Sequence, residues 1–164
     1  YVGVDINKES QADIIADAEK IPFEDGAFDV IVSTQTLEHC RDFSKVVAEM
    51  YRVLCPGGIV FLTTHGTYPI HGAPFDFWRF TSYGLEEVFK KFSEKQVIPI
   101  GGVILCLFQL INLSLYYSRL KKIPIIGLAI NAIVLMNNII AWHLDKIAYK
   151  GDFLVQNYLV VARK

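Results

Sequence analysis

Over roughly the first 97 residues, short apolar runs alternate with charged amphipathic segments, and this alternation limits the fold more narrowly than any other feature of the chain. Such alternation marks strand-helix-strand units laid around a parallel sheet, so an α/β fold is expected. The apolar runs predict strands near residues 2–5, 13–16, 28–33 and 59–64, another at 94–100, and a last one over 157–162 (NYLVVA). The first of these and the one beginning at Phe28 read as buried. Residues 43–54 set Val46, Val47, Met50, Val53 and Leu54 on one face and Lys45, Glu49 and Arg52 opposite, which predicts a helix that Pro56-Gly57-Gly58 stops. Residues 84–92 repeat the helical pattern with Leu85, Val88, Phe89 and Phe92 apolar.

At 164 residues and 52% hydrophobic content the chain has the size of one domain with a real core. A formal net charge of -1 without a long run of like charge gives no footprint for nucleic acid, and no nucleic-acid partner is expected. Three widely spaced cysteines (Cys40, Cys55, Cys106) lack CxxC spacing, which speaks against a disulfide framework or a zinc site and suits a reducing cytoplasm. No secretory signal opens the sequence as it stands.

Composition changes near residue 97. Residues 97–118 and 123–144 carry no formal charge and are joined by Arg119, Lys121 and Lys122. Length alone would let both cross a membrane. The first contains the break Gly101-Gly102 and a polar stripe of Gln109, Asn112, Tyr116 and Arg119; the second carries Asn131, Asn138 and Asp145 at heptad spacing, with Asn137 beside them. Amides at a bilayer centre are costly, and a spanning hairpin with cytoplasmic flanks would put its three basic residues outside. A helical hairpin inserted over residues 101–150 is therefore expected, within a single domain whose α/β core is 1–100 and 151–164. Its apolar face would pack on the body, on a second copy of the chain as a homodimer, or peripherally on the inner face of the membrane.

Asp5 ends a strand in a way that suits a carboxylate accepting hydrogen bonds from adjacent ribose hydroxyls, although an acid there also serves as a turn former or helix cap. More specific is the block ADAEKIPFEDGAFDVI (residues 16–31), followed by TLEH (36–39), a helix, and RVLCPGG (52–58) before a strand.

In these segments (VGVDI, ADAEKIPFEDGAFDVIVSTQTLEH and YRVLCPGGIVFLTT) the chain resembles the class I S-adenosylmethionine-dependent methyltransferases, in particular their type 11 group, over about the first 65 residues. The resemblance implies a Rossmann-like sheet with S-adenosylmethionine as cofactor. It implies that Asp5, with Ile6 beside it, holds the ribose. Asp17 and Ala18 would hold adenine through a carboxylate and a backbone N–H, and Ser33, Thr34, Gln35 and Leu37 would line the methionine side. The family's first strand and glycine-rich loop lie before the position of Tyr1, and that strand sits between those matching residues 2–5 and 28–33. A longer chain is expected; a polypeptide beginning at Tyr1 is expected neither to bind cofactor tightly nor to catalyse.

The block HGAPFDFWRFT (71–81) is similar to a subset of these enzymes associated with bacterial cell-surface glycan synthesis. Asp76, Trp78 and Arg79, with His65 and His71, would form a substrate wall, Arg79 stacking on a ring or pairing an anionic group. Equally, the aromatic residues would anchor the loop while Thr81 or Ser82 caps the next helix. His39 follows a strand end most closely and is the candidate general base for a hydroxyl acceptor, each lone histidine also reading as structural. His65, His71 and Asp76 match no strong ligand spacing, so no metal is expected, and His143 reads as a helix-end or interface residue. The expected function is methyl transfer to an O, N or C acceptor, apolar or lipid-linked if the hairpin lies beside the acceptor side of the pocket. A methyltransferase-like scaffold without catalysis, using the hairpin for dimerisation or partner binding, is the alternative. A nicotinamide-dependent oxidoreductase is the other, against which the residue 16–31 block and the LEH turn argue.

Overall fold

The computed structural model describes residues 1–147, 151 and 153–164. The chain divides into two compact units, one of Tyr1–His65, Ile70–Ile98 and Leu159–Lys164, the other of Gly66–Pro69 and Pro99–Tyr158. The second unit thus reaches beyond the expected 101–150 insertion on both sides, and residues 148–150 of that insertion lie outside the described residues.

The first unit opens with two short parallel strands, β1 (Val4–Asp5) and β2 (Ile14–Ile15), paired Val4 to Ile14 and Asp5 to Ile15. Asp13 Oδ2 accepts from Gly3 N at 2.7 Å and ties the pair at its start. β3 (Phe28–Thr34) runs parallel to β4 (Leu54–His65), and the second sheet has the order β3-β4-β6-β5, where β5 is Glu94–Ile100 and β6 is Asn157–Arg163. The two sheets divide where the resemblance places a further strand.

That division corrects the expectation of buried strands. Val4 is exposed, and Val32 in β3, the edge strand of its sheet, is 69% exposed. Side chains of a strand point to the two faces of its sheet, so their exposure means that nothing packs over them there.

Between β3 and β4 runs α1 (Phe43–Val53), capped by Asp42, whose side chain accepts from Lys45 N at 3.2 Å. Val46, Val47, Met50 and Val53 are its buried face, as the periodicity requires. The Pro-Gly-Gly segment does not stop this helix. The backbone turns extended at Leu54, and residues 55–58 form a bulge inside β4, where Phe28 faces Leu54 but Val30 faces Ile59. Gly57 there has φ 83°, which favours glycine. α2 (Ser82–Val88) is capped by Thr81, accepting from Gly84 N at 3.1 Å.

The second unit contains α3 (Val103–Tyr116) and α4 (Pro124–Ile147), joined by a 3-10 turn over Arg119–Lys122. The polar residues anticipated in an apolar hairpin pair with one another. Asn112 is buried, donates to Asn138 Oδ1 at 2.8 Å and accepts from Asn137 Nδ2 at 2.8 Å. Asp145 Oδ1 accepts from Ile104 N at 3.1 Å and Leu105 N at 3.2 Å, capping α3 from the end of α4. A Cβ at Gly102 would stand 2.5 Å from Asp145 Oδ1, so a larger residue there would require the capping carboxylate to shift. By length and composition alone α4 suffices to cross a membrane, and only 17% of its most apolar stretch is buried.

Candidate active site

Asp5 and Asp17 close neighbouring strands. Ala16 N donates to Asp5 O at 2.9 Å, so Asp17 follows β2 one residue past the ladder, beside the end of β1. Each carboxylate shapes its own turn: Asp5 Oδ1 accepts from Asn7 N at 2.8 Å, and Asp17 Oδ1 from Glu19 N at 2.9 Å. Both side chains are exposed, as is Ile6, and Ala18 is half-buried. A carboxylate offers about four acceptor positions, so one amide leaves room for a ligand's hydroxyl or amino groups.

The segment after β2 is fastened to α1. Glu19 Oε1 accepts from Asp42 N at 2.9 Å, and Glu49 Oε2 from Ile21 N at 3.1 Å. Arg52 donates to Glu49, to Asp25, to Phe23 O at 2.7 Å and to Ile21 O at 3.1 Å. Those partners, Glu49 first, raise the Arg52 pKa further above its usual value. Cys40 lies near the same segment: burial first, then the charges of Asp17, Glu19 and Glu38, push its thiol up to about 11.

At the end of β3, Gln35 leaves the strand with φ 51°, its N–H donating to Thr63 O at 2.9 Å. A non-glycine residue in that region is uncommon, and such conformations cluster at functional sites. Ser33 is half-buried and Thr34 exposed. Leu37, expected to line the methionine side, is instead wholly buried in the core.

Leu37–His39 forms a 3-10 turn that brings Glu38 under the end of β4. Glu38 has no exposed surface; its Oε2 accepts from Thr64 Oγ1 at 2.8 Å, and its Oε1 lies 3.5 Å from His65 Nε2. The His71 ring meets those of His65 and His39 edge-on, with centroids 4.8 Å apart in both cases. One ligand atom each from Glu38, His65 and His71 lie within 4.8 Å of one another. The TLEH motif contains Glu38, to which the sequence alone assigns no role. The available signal was an acid between a leucine and a histidine just after a strand, but only the fold shows that it is buried and which strand end it meets.

The loop after β4 is held by the same turn. Glu38 O accepts from Phe77 N at 2.9 Å, and Trp78 Nε1 donates to Cys40 O at 2.9 Å. Phe43 packs edge-on against Trp78 and Phe80. Asp76 takes both arms of the Arg79 guanidinium, at 2.6 and 2.8 Å, and the N–H of His71 at 2.8 Å. Arg79 foremost holds the Asp76 carboxyl well below the usual carboxylate range. Asp76 is thus an internal clamp and Arg79 is engaged by it, so the loop-anchoring reading describes this pair better than an open substrate wall. His39 Nδ1 donates to Phe75 O and leaves Nε2 as the nitrogen able to accept.

Residues 1–62 match the family model for a methyltransferase domain. Over these residues the chain is similar to the type 11 methyltransferases. Chloroplastic tocopherol O-methyltransferase of Arabidopsis thaliana is 46% identical over 50 residues, 30% of this chain and 14% of that protein. Ajmaline N-methyltransferase of Rauvolfia serpentina is 28% identical over 111 residues, 68% of this chain and 33% of that one. The chain therefore spans a third or less of the length of these curated relatives. Among solved structures, phosphoethanolamine N-methyltransferase 2 of Haemonchus contortus in complex with S-adenosyl-L-methionine superimposes with a TM-score of 0.53 at 24% identity, over 97% of this chain and 39% of that one. That likeness is one of fold. The matched residues include Asp5, Asp17 and the Leu37–His39 turn.

Proposed function

We propose that this chain is part of an S-adenosylmethionine-dependent methyltransferase acting on a small-molecule, glycan or lipid-linked acceptor. The observation that carries it is the pair of exposed carboxylates, Asp5 and Asp17, at the ends of two parallel strands that share a ladder. Their chemistry fits the cofactor: each has acceptor capacity left after its own turn, Asp5 for the ribose hydroxyls and Asp17 for the adenine amino group, and the Ala18 N–H would serve as donor to the ring. Ile6, Ser33, Thr34 and Gln35 complete that wall. Bound there, S-adenosylmethionine supplies a methyl group on an electrophilic sulfonium.

This chain's contribution is placement. In-line displacement depends chiefly on holding the acceptor in register, and the loop fixed by Glu38, Asp76 and Phe43 is a rigid support for it. His39, with Nδ1 engaged by Phe75 O, keeps Nε2 to take a proton from a hydroxyl acceptor. Incubation of the full-length protein with methyl-tritiated cofactor and candidate polar, glycan and lipid extracts tests the assignment. Transfer that Asp5→Ala abolishes supports it; none by a folded protein with any extract favours the non-catalytic scaffold.

The exposed hairpin favours an apolar acceptor reached from an anionic membrane surface on the cytoplasmic side. Arg119, Lys121 and Lys122 share the turn with exposed Tyr117, Leu120, Ile123 and Ile125, a basic and apolar tip suited to anionic headgroups over acyl chains. Co-sedimentation with anionic vesicles, weakened in Lys121→Glu/Lys122→Glu and absent with neutral ones, supports this. Full recovery in the soluble fraction in every case defeats it, and a concentration-dependent dimer would assign the apolar face to a second copy.

A further inference from the structure

We infer that Glu38, His65 and His71 form a binding site for a divalent transition-metal ion of the zinc class. The three residues come from separate segments: the turn after β3, the last residue of β4, and the loop beyond it. One ligand atom from each lies within 4.8 Å of the others, so all three fall within about 2.8 Å of a common point, and shifts of about 0.7 Å bring them to zinc bonding distance. Two imidazoles and one carboxylate are the donor set of open zinc sites, which keep a fourth position for water or a ligand oxygen.

Burial gives the second, independent observation. The Glu38 side chain has no exposure, and a carboxylate so placed is costly unless a cation or a full set of hydrogen bonds faces it. Thr64 serves Oε2, whereas Oε1 has no hydrogen-bond partner among the described residues; His65 Nε2 stands 3.5 Å from it, within ion-pair reach but long for a hydrogen bond. Glu38 and His65 are buried while His71 is half-buried, so the set is closed on one side and open on the other. The backbone of His71 is fixed by its N–H to Asp76, which Arg79 locks. Spacing along the sequence pointed to Asp76 rather than Glu38 as partner of the two histidines, and a metal was not expected; the fold gives the acid role to Glu38 and uses Asp76 to hold the loop.

The inference does not depend on methyl transfer, and its test needs no activity. The chelator-treated full-length protein is dialysed against zinc and, in parallel, cobalt, with bound metal counted and the cobalt visible bands recorded. The expected result is a single tight equivalent with tetrahedral cobalt bands, weakened at least about tenfold by His71→Ala and by Glu38→Gln, and unchanged in His143→Ala. His71 sits in a loop and is half-buried, so its variant stays folded if Glu38→Gln does not. Absence of a tight equivalent, or His71→Ala and His143→Ala binding as the unaltered protein does, overturns the site.

Discussion

Replacing Asp76 by Asn changes one atom and removes one charge, and its effect follows from three hydrogen bonds. The carboxylate, with a side chain 2% exposed, accepts from both arms of Arg79 and from His71 N. An Asn oxygen in the Oδ2 place keeps the two accepted there, both now to a neutral group, and its NH2 faces the Arg79 Nη1 donor. Hydrogen bonds to charged groups contribute about 1.5–3 kcal/mol each, and the partly exposed Arg79 recovers some of the loss from water, so Asp76→Asn should cost about 2–4 kcal/mol at pH 7. The pH dependence has a definite sign. The folded pKa is depressed, so the carboxylate's contribution is full above the unfolded value of about 3.9 and is lost as pH falls below it toward the folded value. Urea unfolding followed by tryptophan emission reports on this region, because Trp78 sits two residues along the same loop. The gap between the unaltered protein and Asp76→Asn should be constant from pH 7 to about pH 5 and narrow below about pH 4. A gap under about 0.5 kcal/mol at pH 7, or one unchanged below pH 3, would refute the clamp.

Three further outcomes are expected. Asn112→Ala removes two interhelical hydrogen bonds and should destabilise the α3–α4 pair by about 1–3 kcal/mol, seen as faster hydrogen exchange in both helices while β3 and β4 keep their protection. Asp145→Ala uncaps α3 at a cost of about 1 kcal/mol, and the exchange gain should be confined to its first turn, at Ile104 and Leu105. Cys40, pushed up to about 11, should alkylate at pH 8 on the order of a hundredfold more slowly than a free peptide thiol, and protein unfolding should abolish the difference in a mass-spectrometric time course.

Local periodicity reached those elements whose stability is local. The apolar face of α1 was legible because its residues repeat at 3.6 and the hairpin helices because they stand in charge-free runs, while β5 was legible as the strand that follows a helical pattern. Partners distant in sequence were not legible. Nothing in RVLCPGG says that Arg52 will fasten residues 21–25, and PGG reads as a helix stop although it forms a bulge within β4. Glu38 meets Thr64 and His65 some 26 and 27 residues on only once β3 and β4 align in parallel. The polar stripe of the hairpin was visible as a pattern, but its pairing of Asn112 with Asn137 and Asn138 requires the two helices to be antiparallel neighbours. The nucleotide-side positions Asp5 and Asp17 came from resemblance, and the ladder between β1 and β2 supplies their physical basis by placing both at adjacent strand ends.

Isothermal titration of S-adenosylhomocysteine into the full-length protein, beside Asp5→Ala and Asp17→Ala, tests the cofactor assignment most directly. Micromolar binding, weakened at least about tenfold in each variant while the fold is retained, is the predicted result, since each carboxylate contributes hydrogen bonds of charged character. Equal affinity in all three proteins, or no binding by the folded unaltered protein, would contradict it.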